Sequence, residues 1–393
     1  MNSKRLAQSG TIKNMKFSLY SKGIGMMVGL ILGAGIFAMP AAVARAGVWW
    51  GVGHFVIAFI LMFVLQIWLA EIAFSTEAPK RFTGFARAWL GKGAERIAFL
   101  SVLVGYYGGF LAYGVLGGIF LSTLFPVFSV VEWSFLFFAV AGVLTLVNFR
   151  SIGAINFYLT IPLVLFIVIL AWMALPEVSL HNFSSGSPAL WFLPYGIFIF
   201  AFSGIAAVPE TADILRRLSM RDVRNVIGIS MGIVALFYLL FVYAVTGVTG
   251  IGTTDDALTG LASVLGNDVI AIGALIGFLA VITSYLALAA DMKNIFNLDY
   301  KIPQTASWAY TVLPAPILFF LGISGFLDIL SFVGSVVFGI SGVLIFLMAR
   351  NFHKAHPEHS HRFFSTKNPL SLLVLLFLIA GVLLELLQIG GVL

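Results

Sequence analysis

A short pattern of glycine, alanine and proline occurs twice in the chain, each time in the middle of an apolar segment. Residues 35–40 read GIFAMP and residues 204–209 read GIAAVP, so both fit G-I-x-A-x-P. A proline removes one backbone amide and its ring clashes with the carbonyl four residues back, while a nearby glycine permits non-helical dihedral angles. Those carbonyls belong to Ile36 and Ile205. Each segment is therefore predicted to consist of two half-helices joined by unwound backbone.

The two breaks predict a binding site, because unwound backbone inside a membrane is tolerated only where it lines a cavity. In the first segment, the half-helix that starts near Ile36 directs its positive N-terminus at the break, where it suits a carboxylate. In the second segment, free carbonyls at the break suit an ammonium group. An anion pocket beside a cation pocket fits a zwitterion. The backbone-rich site is expected to contain Gly33, Ala34, Gly35, Ile36, Phe200, Ala201, Ser203 and Gly204.

Aromatic side chains are further candidates for this site. Phe200 immediately precedes the second break, where its ring would close the pocket from outside. Tyr106 lies among glycines in the middle of the third apolar segment, where its hydroxyl would line the pocket. No charged residue is evident in the middle of the segments expected to select the side chain. This favours neutral amino acids with apolar or aromatic side chains.

The segments that carry these residues are long enough to cross a bilayer. Of the 393 residues, 61% are hydrophobic and 10% are charged, whereas a soluble domain carries about 25% charged residues. Apolar stretches of about 20 residues, the length of a membrane span, recur along the whole chain. Eleven spans are predicted, at approximately 20–47, 50–75, 96–123, 132–148, 153–175, 189–214, 225–249, 266–290, 305–322, 327–349 and 369–390.

The basic residues predict how the chain is oriented. All but one of the 22 lysines and arginines fall on the side of the N-terminus, and the exception is Arg45. The positive-inside rule then places the N-terminus in the cytoplasm and the C-terminus outside. The same distribution accounts for the net charge of +6 without a nucleic-acid partner. We therefore expect a multi-pass protein of the cell inner membrane, with the lipid bilayer as its surroundings.

The two breaks also divide the chain into two related halves. Five spans separate their starts, and an odd number of spans per half inverts the second half relative to the first. One chain then holds the whole arrangement, so we expect a monomer to be sufficient. The predicted parts are a cytoplasmic N-terminal tail (1–19), a first five-helix repeat (20–175), an outer loop (176–188), a second, inverted five-helix repeat (189–350), a cytoplasmic histidine-rich loop (351–368) and an eleventh transmembrane helix (369–393).

With these motifs the chain resembles the amino acid–polyamine–organocation superfamily, and within it the hydroxy and aromatic amino acid permeases and the amino acid/auxin permeases. The resemblance rests on Gly29–Pro40 in span 1, Ala70-Glu71 in span 2, Trp89-Leu90-Gly91 after it, and Phe202–Glu210 in span 6. It implies an all-α LeuT-type fold of five-plus-five inverted helices, unwound in helices 1 and 6. It also implies amino acid uptake by alternating access, driven by sodium or protons.

The resemblance further implies a sodium site. The run Ala280–Ser284 in span 8 matches the A-x-x-T-S pattern of the sodium site shared by many LeuT-type transporters. Carried over by position, the ligands would be the carbonyls of Gly29, Leu32 and Ala280 and the hydroxyls of Thr283 and Ser284. Such neutral oxygens suit a hard monovalent cation. The alternative is that both hydroxyls hydrogen-bond the backbone of their own helix.

Proton coupling is the competing hypothesis, because a relay needs a titratable group inside the bundle. Candidates are Glu71 in span 2 and Glu210 and Asp213 at the end of span 6. Their positions near cytoplasmic ends, close to arginines, favour salt bridges that gate or couple transport. An uncoupled exchanger or exporter of amino acids or amines on the same fold is the other alternative. An enzyme is not expected, since cysteine, HExxH and paired intramembrane aspartates are absent, and no organic cofactor is implied.

Overall fold

Each predicted apolar segment is helical in the computed structural model, which describes residues 2–76, 81–147, 152–183, 186–357 and 364–391. Residues 184–185 of the predicted outer loop and 358–363 of the histidine-rich loop lie outside the described ranges. The described residues form an all-α structure, as predicted. Its first half contains α1 (Asn2–Ile31), α2 (Gly35–Ala46), α3 (Val48–Phe74), α4 (Phe82–Leu90), α5 (Lys92–Leu124), α6 (Val130–Leu144) and α7 (Ile152–Ala174).

The second half, the predicted inverted repeat, contains more interruptions. A π-helical segment, Val333–Phe338, joins α15 to α16, and another, Ile295–Asp299, follows α12. The helices are α8 (Leu193–Ala201), α9 (Ala207–Ile214), α10 (Met220–Thr249), α11 (Ala262–Leu265), α12 (Asn267–Asn294), α13 (Gln304–Val312), α14 (Pro314–Phe320), α15 (Phe326–Phe332), α16 (Gly339–Ala355) and α17 (Pro369–Ile389).

The number of membrane spans stays a prediction. Among the described residues, seven helices are long and apolar enough to cross a bilayer, and the bent pair α1–α2 makes eight. The other predicted spans are shorter or broken: α6 has 15 residues, and the α13–α14 segment is interrupted before Pro314. A proline in a helix interior removes a backbone hydrogen bond, which accounts for this interruption.

Small residues allow the helices around the site to pack closely, as is common in membrane bundles. A β-carbon at Gly114 of α5 would lie 2.0 Å from the Phe138 ring of α6. One at Gly117 would lie 2.4 Å from the Phe137 ring. On its other side α5 packs along α12. This packing fixes the two helices that carry Tyr106 and Thr283.

Contacts between distant charged residues agree with the predicted membrane faces. Arg45, the one basic residue expected outside, pairs with Asp255 in the segment between α10 and α11. Arg81 lies 3.5 Å from Asp291, and both were expected at the cytoplasmic face. The two residues of each pair must therefore lie on the same face of the helix bundle. The absolute orientation of the chain in the membrane stays a prediction.

Candidate functional site

Both predicted breaks are present in the fold. The first lies between Ile31 and Gly35, where the axes of α1 and α2 differ in direction by 55°. The second lies between Ala201 and Ala207, the end of α8 and the start of α9. The half-helix expected from about Ile36 begins one residue earlier. Local proline and glycine chemistry thus predicts both interruptions.

The two breaks meet at one point, which we call the junction and define by Gly35 and Ala201. A β-carbon at Gly35 would lie 2.9 Å from the Ala201 Cα atom and 3.3 Å from Cδ1 of Phe200. Real side chains essentially never approach backbone this closely, so the contact requires glycine. The structure therefore brings together the predicted residues of span 1 and those of span 6.

Tyr238 of α10 ties the two sides of the junction together. Its hydroxyl lies 2.8 Å from the carbonyl oxygen of Ile31, the last residue of α1, and 2.8 Å from that of Ala201, the last residue of α8. The side chain is fully buried, and its ring packs on Phe202 at 5.2 Å between centroids. Sequence reasoning missed this residue, because nothing local distinguishes it among the 11 tyrosines.

Gln66 of α3 supports the second break from the other side. Its side-chain nitrogen donates to the carbonyl of Phe202 at 3.0 Å. Its side-chain oxygen is buried and has no hydrogen-bond partner among the described residues. Gly204 makes room for it, since a β-carbon there would lie 3.0 Å from the Gln66 nitrogen. A polar residue inside a long apolar helix was the signal that could have identified Gln66 from the sequence.

The N-terminus of α2, where the sequence predicts an anion pocket, has two backbone amides without a backbone acceptor. Within the described chain, the amides of Ala34 and Gly35 donate no backbone hydrogen bond, whereas those of Ile36 and Phe37 donate within the break. Gly33 is partly exposed, and a β-carbon on it would meet no atom within 4 Å. Unsatisfied amides at a helix N-terminus beside open space can receive a carboxylate.

The hydroxyl of Tyr106 is engaged elsewhere. It donates to Oδ2 of Asp291 at 2.5 Å, toward the predicted cytoplasmic side. A role of Tyr106 in the pocket stays a prediction.

The predicted ion site stays a prediction. Thr283 Oγ1 lies 2.8 Å from the Leu279 carbonyl oxygen and 3.2 Å from that of Ala280. Both contacts lie within α12, and they are the backbone hydrogen bonds expected under the alternative interpretation. Gly29 and Leu32 are buried at the end of α1, and Ser284 is partly exposed.

Glu71 has two partners, and one of them was not expected. Its carboxylate is 1% exposed and lies 2.6 Å from an Arg224 nitrogen and 2.8 Å from Nε2 of His353. The other ring nitrogen of His353 lies 3.4 Å from Thr366 Oγ1. His353 was assigned to a loop, but α16 continues to Ala355 and buries it. We call Glu71, Arg224 and His353 the inner cluster.

The other acidic candidates lie apart from the junction. Asp213 pairs with Arg216 at 2.5 Å on the exposed end of α9. Glu210 is exposed one turn earlier. The expected pairing of acidic groups with arginines is thus present for Asp213 and Glu71.

Three solved transporters share this fold at low sequence identity. MhsT in complex with L-phenylalanine superposes with a TM-score of 0.64, at 15% identity over 95% of this chain and 98% of that one. Mhp1, a nucleobase-cation-symport-1 family transporter with bromovinylhydantoin bound, gives 0.62, at 16% identity over 96% and 92%. A manganese transporter from Eremococcus coleocola gives 0.60, at 14% identity over 97% and 87%. At these identities the likeness shows the LeuT-type fold alone.

The sequence itself carries the family assignment. No curated protein matches the chain. The model of the tryptophan/tyrosine permease family matches residues 18–385, nearly the whole chain. The match and the fold agree with the two broken helices. The protein is a multi-pass secondary transporter of aromatic amino acids rather than an enzyme, and it belongs to the tryptophan/tyrosine permease family.

Proposed function

We propose that this permease takes up tryptophan, tyrosine or phenylalanine together with sodium, and binds the amino acid as a zwitterion at the junction. The observation that carries the proposal is the contact of Gly35 with Ala201, where the N-terminal end of one half-helix meets the carbonyl end of another. Opposite partial charges from two helix ends then face one small volume. MhsT, which shares the fold, is solved with L-phenylalanine.

The substrate's backbone groups would be held by backbone atoms. Its carboxylate would accept from the amides of Ala34 and Gly35, which are not engaged by other described backbone atoms. Its ammonium would donate to the carbonyls of Ala201 and Ser203. The Ala201 carbonyl already faces Tyr238, but a carbonyl oxygen has two lone pairs and can accept a second donor. Phe200, which borders Gly35, would cover the bound amino acid.

Sodium would bind next to this site, at the Gly29, Leu32, Ala280, Thr283 and Ser284 oxygens. Filling the ion site would draw the end of α1 toward α12 and so set the position of the α1–α2 break. Bound sodium would thereby improve amino acid binding. The structural neighbour Mhp1 belongs to a cation-symport family, which supports a cation-coupled mechanism.

Uptake into proteoliposomes tests the proposal. The purified protein is reconstituted, and radiolabelled tryptophan, phenylalanine, leucine and glutamate are offered with an inward sodium gradient or with choline in its place. We expect sodium-dependent accumulation of the aromatic amino acids and little of glutamate. Thr283→Ala should abolish the sodium dependence. Thr123→Ala is the matched control, because Thr123 makes the same i−4 backbone hydrogen bond, to Ile119, on another helix. Preference for glutamate would overturn the substrate assignment.

The inner cluster favours proton coupling as the second candidate. Glu71 and His353 form a buried acid–base pair at 2.8 Å, and such a pair inside a membrane protein can carry a proton. The same proteoliposomes distinguish the two mechanisms. If uptake in choline follows an inward proton gradient and fails in Glu71→Gln, the coupling ion is the proton rather than sodium. Uptake in choline without either gradient, driven only by internal amino acid, would identify an exchanger.

A further inference from the structure

A cavity of about 750 Å³ lies away from the junction, between α5, α15 and the last turns of α17. None of the predicted substrate or sodium residues lines it. Its size falls within the range of about 300–1,000 Å³ that is usual for small-molecule sites. Most of its wall is apolar and includes Leu111 of α5, Leu193 of α8 and Phe332 of α15. The transport mechanism proposed above makes no use of this space.

A buried carboxylate lines one side of the cavity. Glu385 is 5% exposed and is the only charged residue of α17. Its Oε2 atom accepts a hydrogen bond from Ser331 at 2.9 Å. The fully buried Ser335 hydroxyl is a second hydroxyl beside this carboxylate. An ionisable group at this depth is costly, so it normally marks a site for a partner of opposite charge.

A cation that enters the cavity would be such a partner. A second carboxylate, Asp328, also lines it, and none of the described lysines, arginines or histidines does. Among the described residues no three histidine, aspartate or glutamate side chains are grouped to hold a metal ion. An apolar wall with carboxylates at one side instead suits a molecule that carries both an apolar body and a positive charge.

We propose that the cavity binds a primary ammonium group attached to an apolar chain, with the ammonium on Glu385. Two sources offer this chemistry: a phosphatidylethanolamine lipid from the bilayer, or a soluble hydrophobic amine. A primary ammonium has three hydrogens to donate, and Glu385, Asp328 and the Ser331 hydroxyl offer acceptor oxygens on the cavity wall. A quaternary choline group offers no such donors, so a phosphatidylcholine lipid binds less well.

The position of the cavity gives its occupant a route to the transport site. Leu193, on its wall, opens α8, the half-helix that ends at Ala201 in the junction. Tyr195 of α8 donates to the carbonyl of Phe377 in α17 at 2.9 Å. A molecule wedged between α15 and α17 therefore touches elements that hold α8 in place.

Thermal stability of the purified full-length protein tests the soluble amine. n-Hexylamine is titrated with n-hexanol as its uncharged counterpart, in saturating tryptophan so that the junction is occupied. We expect hexylamine to raise the melting temperature of the wild type, and hexanol not to. The gain should vanish in Glu385→Gln and persist in Asp268→Asn, which removes an exposed acidic charge from the start of α12. Ile323→Trp, at an exposed position of the cavity wall, should block the cavity. This variant replaces Glu385→Gln in the test if Glu385→Gln folds poorly.

Native mass spectrometry distinguishes the lipid from the soluble amine. The protein is reconstituted in nanodiscs of phosphatidylethanolamine, phosphatidylcholine or phosphatidylglycerol, released, and examined for retained lipid. Selective retention of phosphatidylethanolamine by the wild type and not by Glu385→Gln identifies the lipid headgroup. Stabilisation by hexylamine without lipid retention identifies a soluble ligand. If neither hexylamine nor phosphatidylethanolamine distinguishes the wild type from both variants, the proposal is wrong, whatever the outcome for tryptophan uptake.

Discussion

Replacement of Tyr238 by phenylalanine should weaken substrate binding without leaving a large cavity in the core. The ring and its packing on Phe202 remain, and only the hydroxyl that faces the Ile31 and Ala201 carbonyls is lost. Ile31 keeps a second donor, the Gly33 amide at 2.9 Å. The buried carbonyl of Ala201 is therefore more affected by the loss of the hydroxyl donor than that of Ile31.

The expected size follows from that loss. A buried acceptor left without a donor costs about 1–3 kcal/mol. If the hydroxyl fixes the geometry of the junction, tryptophan binding should lose a free energy of the same size. At about 1.4 kcal/mol per tenfold change in Kd, the affinity should fall by about 5- to 150-fold. The free energy of unfolding should fall by a similar amount, since the same contact joins α1, α8 and α10.

Equilibrium binding of radiolabelled tryptophan to the purified protein, together with its melting temperature, measures both effects. Tyr243→Phe is the matched control, because this tyrosine lies on the same helix, is 41% exposed and stacks on Phe183. A Kd for Tyr238→Phe within twofold of the Tyr243→Phe value would refute the reasoning. Tighter binding would refute it as well, since it would mean that the hydroxyl competes with the substrate's ammonium for the Ala201 carbonyl.

Two further substitutions test the packing around the junction and the inner cluster. Gly35→Ala should lower the melting temperature and reduce tryptophan binding, because its β-carbon would collide with Ala201, whereas Gly33→Ala meets no atom and should leave the melting temperature unchanged. Glu71→Gln should cost up to about 3–5 kcal/mol of stability in denaturant unfolding, because it leaves the Arg224 charge, only 18% exposed, without its carboxylate. The double variant Glu71→Gln/Arg224→Gln should recover part of that loss. A double variant that loses as much stability as Glu71→Gln alone, or as much as the two single variants together, would contradict the pairing.

The broken helices could be predicted from the sequence because their cause is local. The glycine and proline at residues 35–40 and 204–209 predict both interruptions. The first interruption lies just before its motif, and Pro40 itself lies inside α2. The first break falls within one residue of the expected position. Alternation of basic residues similarly predicts which ends share a face, as the Arg45–Asp255 pair bears out.

Tertiary contacts were harder to predict. Tyr238 lies 207 residues from Ile31 in the chain, and no local pattern signals that their atoms meet. His353 was misassigned for a different reason: the apolar run of span 10 ends near residue 349, and the helix was expected to end with it. A helix that leaves the membrane keeps its hydrogen bonds, however, and α16 continues to Ala355. Hydropathy marks the end of the lipid-facing stretch rather than the end of the helix.

One helix connects the inner cluster to the junction. Arg224 and Tyr238 are both on α10, which is continuous from Met220 to Thr249. At about 1.5 Å of rise per residue, their positions lie about 21 Å apart along the helix axis. A continuous helix transmits displacement along its length unless it bends. A movement that pulls Arg224 away from Glu71 therefore also moves the hydroxyl that holds Ile31 and Ala201. Because the end of α1 also carries the proposed sodium ligands, the ion site, the amino acid site and the inner cluster are mechanically joined through α1 and α10.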